Sequence, residues 1–163
     1  MVHESSTTRF GATRAMEITE ANAEFVAFVA TCTDEEWGRV CAAEGWPVGV
    51  VAHHIAWGHA VSAGWIRTIR SGKDVAGSPQ THNAGNEAKA AEMAGVSRDE
   101  VIRIANRNLN ELTALLLSLT DEDLSKDASF GPGGGMKMSI DNLAGARGHL
   151  DRHLGSIRAA VGR

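Results

Sequence analysis

Cysteine is scarce in this chain: Cys32 and Cys41 are the only two, nine positions apart, and no CxxC spacing occurs. Such a pair is not the cysteine framework of a small secreted domain held together by disulfides. We therefore expect both cysteines to be small core residues rather than reactive thiols. A bacterial-type cytoplasmic location is the expectation that follows.

The chain also lacks an excess of positive charge and any long apolar run. Its 16 Lys and Arg against 20 Asp and Glu give a net charge of -4, so there is no broad basic field for nucleic-acid binding. No apolar stretch approaches the length needed to span a bilayer, and the first ten residues lack the apolar stretch of a secretory signal. We predict one soluble globular domain over residues 1–163 that binds neither nucleic acid nor membrane.

Strand-like alternation of useful length is missing as well, and the apolar pattern is helical almost everywhere. Four main helices are predicted, over about residues 13–31, 47–69, 97–119 and 139–161. Capping boxes are predicted at Thr33–Glu36 and Ser97–Glu100. Residues 73–86 have the composition of a loop, with a short helix from there to Gly95, and the glycines of 130–135 predict a short hairpin or lid. The predicted fold class is an all-α four-helix bundle with short extra helices in the connections.

Two histidines in the last predicted helix are the strongest functional signal. His149 and His153 are four positions apart, so on a helix they project from nearly the same side. Two imidazoles held in this way can bind one metal ion and leave coordination positions open. The pair is not part of an HExxH motif, because Leu150 occupies the Glu position. A zinc-peptidase mechanism would therefore lack its general base.

A third metal ligand has three candidates in the predicted helix 47–69. His54 continues an apolar stripe with Val50 and Trp57, where an isolated histidine needs a polar partner. His54 is therefore the first choice, and His53 or His59 could fill the role instead.

Several segments follow each other as they do in the DinB-like superfamily, which this chain resembles from about Phe25 to Ile157. These segments are Trp46–Trp57, Asn83–Ala88, Ser97–Val101, Leu119–Leu124 and His149–Ile157. The resemblance implies a DinB-like four-helix bundle whose metal is held by one histidine of the second helix and two of the last. Carried over to this sequence, the ligands are His54, His149 and His153. Ser156 stands where the family often has Gln, which changes a polar neighbour of the site.

The resemblance implies a function as well as a fold. The superfamily includes transferases and isomerases that use mycothiol or bacillithiol, and a divalent ion, Zn or Ni, is the expected cofactor. Three neutral imidazoles leave such an ion its full charge, so that it lowers the pKa of a bound thiol or water. The leading hypothesis is a metal-dependent enzyme that adds or transfers a low-molecular-weight thiol to a small-molecule electrophile. A metal-dependent hydrolase and a non-catalytic metal-binding bundle are the alternatives.

Three further expectations concern the surroundings of the site. Arg147 and Arg152 flank the histidine pair and could hold a substrate carboxylate. The segments 131–135 and 83–86 are candidate lids over the site. We also expect a homodimer, since two-fold pairs are the commonest oligomers.

Overall fold

The computed structural model describes residues 9–131 and 136–163, which form eight helices and four short strands. The helices are α1 (Arg9–Ala30), α2 (Asp34–Gly38), α3 (Val48–Arg70), α4 (Pro79–Glu92), α5 (Arg98–Leu117), α6 (Asp121–Leu124), α7 (Ile140–Ala144) and α8 (Ala146–Val161). The strands are β1 (Val40–Cys41), β2 (Trp46–Pro47), β3 (Asp127–Phe130) and β4 (Met136–Ser139). No helix among the described residues is long and apolar enough to cross a membrane.

Four long helices, α1, α3, α5 and α8, make the bundle. Helix α3 packs on both α5 and α8, and α1 packs on the same two helices from the other side. The largest fully buried side chains come from all four helices and include Phe25, Ile55, Leu112 and Leu154. Burial of these apolar faces is what stabilises helices of this length. The prediction of an all-α four-helix bundle is confirmed.

Both cysteines lie in the interior. Cys32 and Cys41 are buried and unpaired, as expected of small core residues. Burial, together with the nearby charge of Glu44, raises the pKa of Cys41 to about 11. The thiol therefore stays protonated near neutral pH and is not a nucleophile.

The two capping boxes that the sequence predicts turn out differently. Thr33 Oγ1 accepts from the Glu36 backbone N–H at 3.2 Å, and the Glu36 carboxylate accepts from the Thr33 N–H at 2.8 Å. Ser97 Oγ likewise accepts from the Glu100 N–H at 3.2 Å. The Glu100 carboxylate, however, binds the guanidinium of Arg103 instead. A charged donor one turn along the helix competes well with a backbone N–H, so only half of the second box forms.

The prediction of a loop over residues 73–86 is wrong for its second half, because α4 already begins at Pro79. Ser78 Oγ accepts from the Thr81 N–H at 3.2 Å, and Thr81 Oγ1 accepts from the Ser78 N–H at 2.8 Å. Proline at the first helical position suits this start. Residues Asn83–Asn86 therefore belong to a helix and do not form a loop that could act as a lid.

In the chain, the glycine-rich segment lies between the two strands of a hairpin. A hairpin was one of the two structures that the sequence predicted here, the other being a lid. Strands β3 and β4 pair antiparallel, with Asp127 opposite Ser139 and Phe130 opposite Met136. The apolar pattern did not predict these strands, which are only four residues long. Most of the candidate lid at 131–135 lies outside the described residues, which exclude 132–135.

Ser139 caps a short helix rather than the final one. Its Oγ accepts from the Asn142 N–H at 3.2 Å, but α7 ends at Ala144 and α8 begins at Ala146. Gly145 lies at the break, where a Cβ atom would be 3.2 Å from the Asn142 carbonyl oxygen. The break places His149 in the first turn of α8.

Candidate metal centre

Three histidines converge where α3 faces α8. The structure brings His54 of α3 together with His149 and His153 of α8, and one ring nitrogen of each lies within 4.8 Å of the others. The Nε2 atoms of His54 and His149 are 3.1 Å apart. Three nitrogens about 2.1 Å from one tetrahedral ion would be about 3.4 Å from each other. The imidazoles are therefore arranged to fit a single divalent ion with small movements of their rings.

The environment keeps two of these imidazoles, His54 and His149, uncharged. Burial, reinforced by the proximity of His153, lowers the pKa of His54 to about 4 and that of His149 to about 3. Both rings are neutral at neutral pH as a result. A neutral imidazole has the free lone pair that binding to a metal ion requires.

A carboxylate behind His153 completes the cluster. His153 Nδ1 donates to Glu44 Oε1 at 2.7 Å, and Ser156 Oγ donates to Glu44 Oε2 at 2.5 Å. Burial alone would raise the pKa of Glu44, but the hydrogen bonds from Ser156 and His153 outweigh it and lower the pKa. Such a bond holds the proton on Nδ1 and leaves the lone pair on Nε2. The Arg152 guanidinium, which can only donate, lies 3.3 Å from that Nε2.

Sequence reasoning missed Glu44, because no motif surrounds it in the turn between β1 and β2. Ser156 was noted only as a departure from the family pattern. In the structure its hydroxyl holds the second oxygen of Glu44 and so acts on the site through that carboxylate.

The structure places the two alternative ligands elsewhere. His59 is buried between α3 and α1, and its Nε2 lies 3.1 Å from Asn22 Oδ1. His53 is buried as well, and the charges that act on its pKa are those of Lys89, Glu92 and Glu100. Burial lowers the pKa of His53, and neither ring joins the cluster.

The buried ring of His59 predicts a loss of stability in acid. Burial lowers its pKa from 6.5 to about 4, so between these values the unfolded chain binds more protons than the folded one. Stability must then fall as the pH falls through this window, and we expect His59 to account for about 2 kcal/mol of the loss between pH 7 and pH 5. Urea unfolding of metal-free protein at both pH values measures it.

The matched variant is His59→Gln, whose amide can still donate to Asn22 but does not titrate. On acidification this variant should lose about 2 kcal/mol less free energy of unfolding than the original chain. Equal losses in the two proteins would contradict the assignment.

The cluster lies between two cavities. The inner cavity has a volume of about 190 Å³ and is lined by His54 and His149. The other lining residues come from α3, α4, α7 and α8 and are mainly apolar. They include Trp57, Val61, Trp65, His82, Asn86, Asn142 and Leu143. The outer cavity, about 420 Å³, is more polar and is lined by all three histidines, Glu44, Trp46, Asn83, Glu87 and Arg152, among others. His54 and Trp57 are thus half-buried in a cavity wall, whereas Val50 of the same stripe is buried.

The two candidate arginines differ in position. Arg152 lines the outer cavity beside His153. Arg147 pairs with Asp151 on the surface of α8, with 3.2 Å between Nε and the carboxylate oxygen. Arg152 alone of the pair therefore faces the space in front of the histidines.

Comparison with known proteins agrees with this architecture. The family model of the DinB superfamily matches residues 17–157. The chain belongs to the DinB superfamily, which confirms the resemblance seen in the sequence. No curated protein matches the chain significantly in sequence.

Solved structures that are similar to this chain include the following two. One is YfiT from Bacillus subtilis, described as a probable metal-dependent hydrolase with an unusual four-helix bundle topology. Its sequence identity to this chain is 18% and the TM-score is 0.75. The similarity covers 92% of this chain and 85% of YfiT. The other is a mutant of a mycothiol-dependent maleylpyruvate isomerase, 12% identical with a TM-score of 0.69, over 90% of this chain and 62% of that one. At these identities the similarity shows a shared fold.

Proposed function

We propose that this protein is an enzyme that depends on a divalent ion, zinc or nickel, held by His54, His149 and His153. The observation that carries the proposal is the convergence of three imidazoles, two of them kept neutral by burial, in the wall between two cavities. An ion bound there would lower the pKa of a thiol or water and supply a nucleophile near neutral pH. Three protein ligands leave room for that nucleophile, as in catalytic sites.

The reaction we propose is the transfer or addition of a low-molecular-weight thiol to a small electrophile. The outer cavity, with Arg152, Asn83 and Glu87, suits the polar body of such a thiol, because each side chain offers hydrogen bonds or charge. The inner cavity is mainly apolar and suits the electrophile. The mycothiol dependence of one structural relative supports this choice, and the description of YfiT as a hydrolase supports water activation as the alternative.

This chain's own residues have distinct tasks in the proposal. Glu44 holds His153 in the tautomer that presents Nε2, and Ser156 holds Glu44. Trp57 and Leu143 line the inner cavity with apolar surface and keep water away from the reacting groups. Arg152 can hold an anionic group of the thiol or the electrophile at the entrance.

Cobalt-substituted protein tests the thiol reaction directly. Addition of mycothiol or bacillithiol should produce a sulfur-to-cobalt charge-transfer absorption, because the thiolate is a soft ligand that binds to the ion. The serine analogue of each thiol, which carries a hydroxyl in place of the thiol group, is the matched control and should give no band. The thiol that gives this band should also be the one that forms a product when a panel of small electrophiles is added.

Two outcomes would count against this reaction. A thiol-independent hydrolysis of esters or amides, with no charge-transfer band, would establish the hydrolase alternative. A bound ion that neither exchanges water nor responds to any thiol would contradict an enzymatic role altogether.

A further inference from the structure

We propose that the inner cavity selects a flat, apolar molecule about the size of a benzene ring with one small polar substituent, and that Asn86 recognises this substituent by a hydrogen bond. The inference deepens the proposed function, because it identifies the class of electrophile that would lie beside His54 and His149.

The size of the cavity matches a small ligand. Its volume is about 190 Å³. An apolar cavity of about 150 Å³ in another protein holds one benzene molecule. The inner cavity therefore has room for one six-membered ring and one or two further atoms.

The walls favour a planar ligand over a saturated one. The ring of Trp65 packs against those of His82 and Phe130, with ring centroids 5.0 and 5.5 Å away. These contacts hold the indole in place on α3, which also contributes Trp57 and Val61 to the same side of the cavity. A planar π system gains from offset or edge contacts with such rings, and a puckered ring does not.

Asn86 supplies a polar feature of this cavity that the fold itself does not explain. Its Oδ1 is buried and has no hydrogen-bond partner among the described residues. A buried acceptor left without a donor is destabilising, and such groups are rare in folded proteins. Asn86 lines both cavities, one helical turn after His82, so a ligand in the inner cavity lies beside its amide. Because the Oδ1 is closed off from solvent, the amide must turn about its Cβ–Cγ bond to bring that oxygen to the ligand. A hydroxyl on the ligand serves either orientation of that amide, since it both donates and accepts.

Three small probes separate these requirements: phenol, toluene and cyclohexanol. Ligand-observed NMR titrations on metal-free and metal-loaded protein should show that phenol binds about tenfold more tightly than toluene, because only phenol pairs with Asn86. Phenol should also bind more tightly than cyclohexanol, which has the hydroxyl but not the flat ring. The order of the three affinities should be the same in metal-free and metal-loaded protein.

Three variants locate the binding site. Val61→Phe fills the inner cavity and should weaken phenol and toluene alike by about tenfold or more; Val61→Leu, a smaller filling, should weaken both to a lesser degree. Asn86→Leu should remove the preference for phenol over toluene and leave toluene binding intact. Gln80→Leu also replaces an amide side chain with leucine, at an exposed position of the same helix that lines neither cavity, and should leave all three affinities unchanged.

Equal affinity for phenol and toluene, or unchanged binding in both Val61→Phe and Val61→Leu, would overturn the inference. These results are separable from those that test the proposed function. Discrimination among the probes by a protein that binds no divalent ion would support the cavity assignment and contradict the enzyme proposal. Metal binding with no discrimination among the probes would contradict the cavity assignment and leave the enzyme proposal standing.

Discussion

Replacement of His149 with alanine is expected to abolish stoichiometric binding of a divalent ion. The ring of His149 is one of three that converge, and its Nε2 lies 3.1 Å from that of His54. Two imidazoles would remain, without the third ligand that a catalytic zinc site has. The loss of affinity should exceed the roughly 10- to 100-fold that follows from removal of an outer-shell partner. Elemental analysis and a competitive chelator titration of the purified protein measure it.

His82→Ala is the matched control for this experiment. His82 lines both cavities but does not belong to the group of three converging nitrogens. The control should keep one ion per chain at close to the original affinity. One equivalent of metal in His149→Ala, held as tightly as in the unaltered protein, would contradict the proposed site.

The fold was predictable to the extent that its determinants are local. Apolar spacing over four long helices is a property of short stretches of sequence, and it predicts a bundle without any knowledge of how the helices pack. The start of α4 was missed although its signal is also local, because Thr81 takes the place of the usual Glu or Gln in the capping box. The break at Gly145 between α7 and α8 was also missed, because the spacing of apolar residues does not reveal it.

In the candidate site, too, the features set by local sequence were predictable and those set by packing between helices were not. The pair His149 and His153 is visible as a spacing on one helix. The choice among the three histidines of α3 is different, because it depends on what packs against each side of that helix. His59 faces Asn22 of α1, whereas His54 faces α8. The spacing of one helix contains no record of which neighbour covers which side, so the residues alone left His53 and His59 open.

Glu44 was beyond sequence reasoning for a stronger reason. It lies 109 positions from His153 in the chain, and the two meet only because the turn between β1 and β2 lies against α8. A single acidic residue in a short turn has no periodicity or motif to identify it. Only the fold shows that this carboxylate stands behind a candidate metal ligand, and this position makes its effect on metal binding measurable.

Replacement of Glu44 with alanine should weaken metal binding by about 10- to 100-fold without removing a ligand. Without the carboxylate, the proton of His153 is no longer held on Nδ1, and the ring loses the bond that fixes its orientation. Glu44→Gln keeps an acceptor oxygen for that bond and should recover part of the affinity. Ser156→Ala removes only the hydroxyl that orients Glu44, so its loss should be smaller than that of Glu44→Ala.

A control must separate this hydrogen bond from the general effect of negative charge near a cation. Glu87→Ala removes an acidic side chain that also lines the outer cavity but has no bond to the three histidines; its carboxylate accepts from the Trp46 indole at 3.2 Å. If Glu44 acts through His153, Glu87→Ala should leave affinity nearly unchanged, while Glu44→Ala lowers it and Glu44→Gln lies between. Equal losses in Glu44→Ala and Glu87→Ala would mean that the carboxylates act only through charge. Such a result would remove the positioning role of Glu44, because a hydrogen-bonded partner must differ from a distant charge of the same sign.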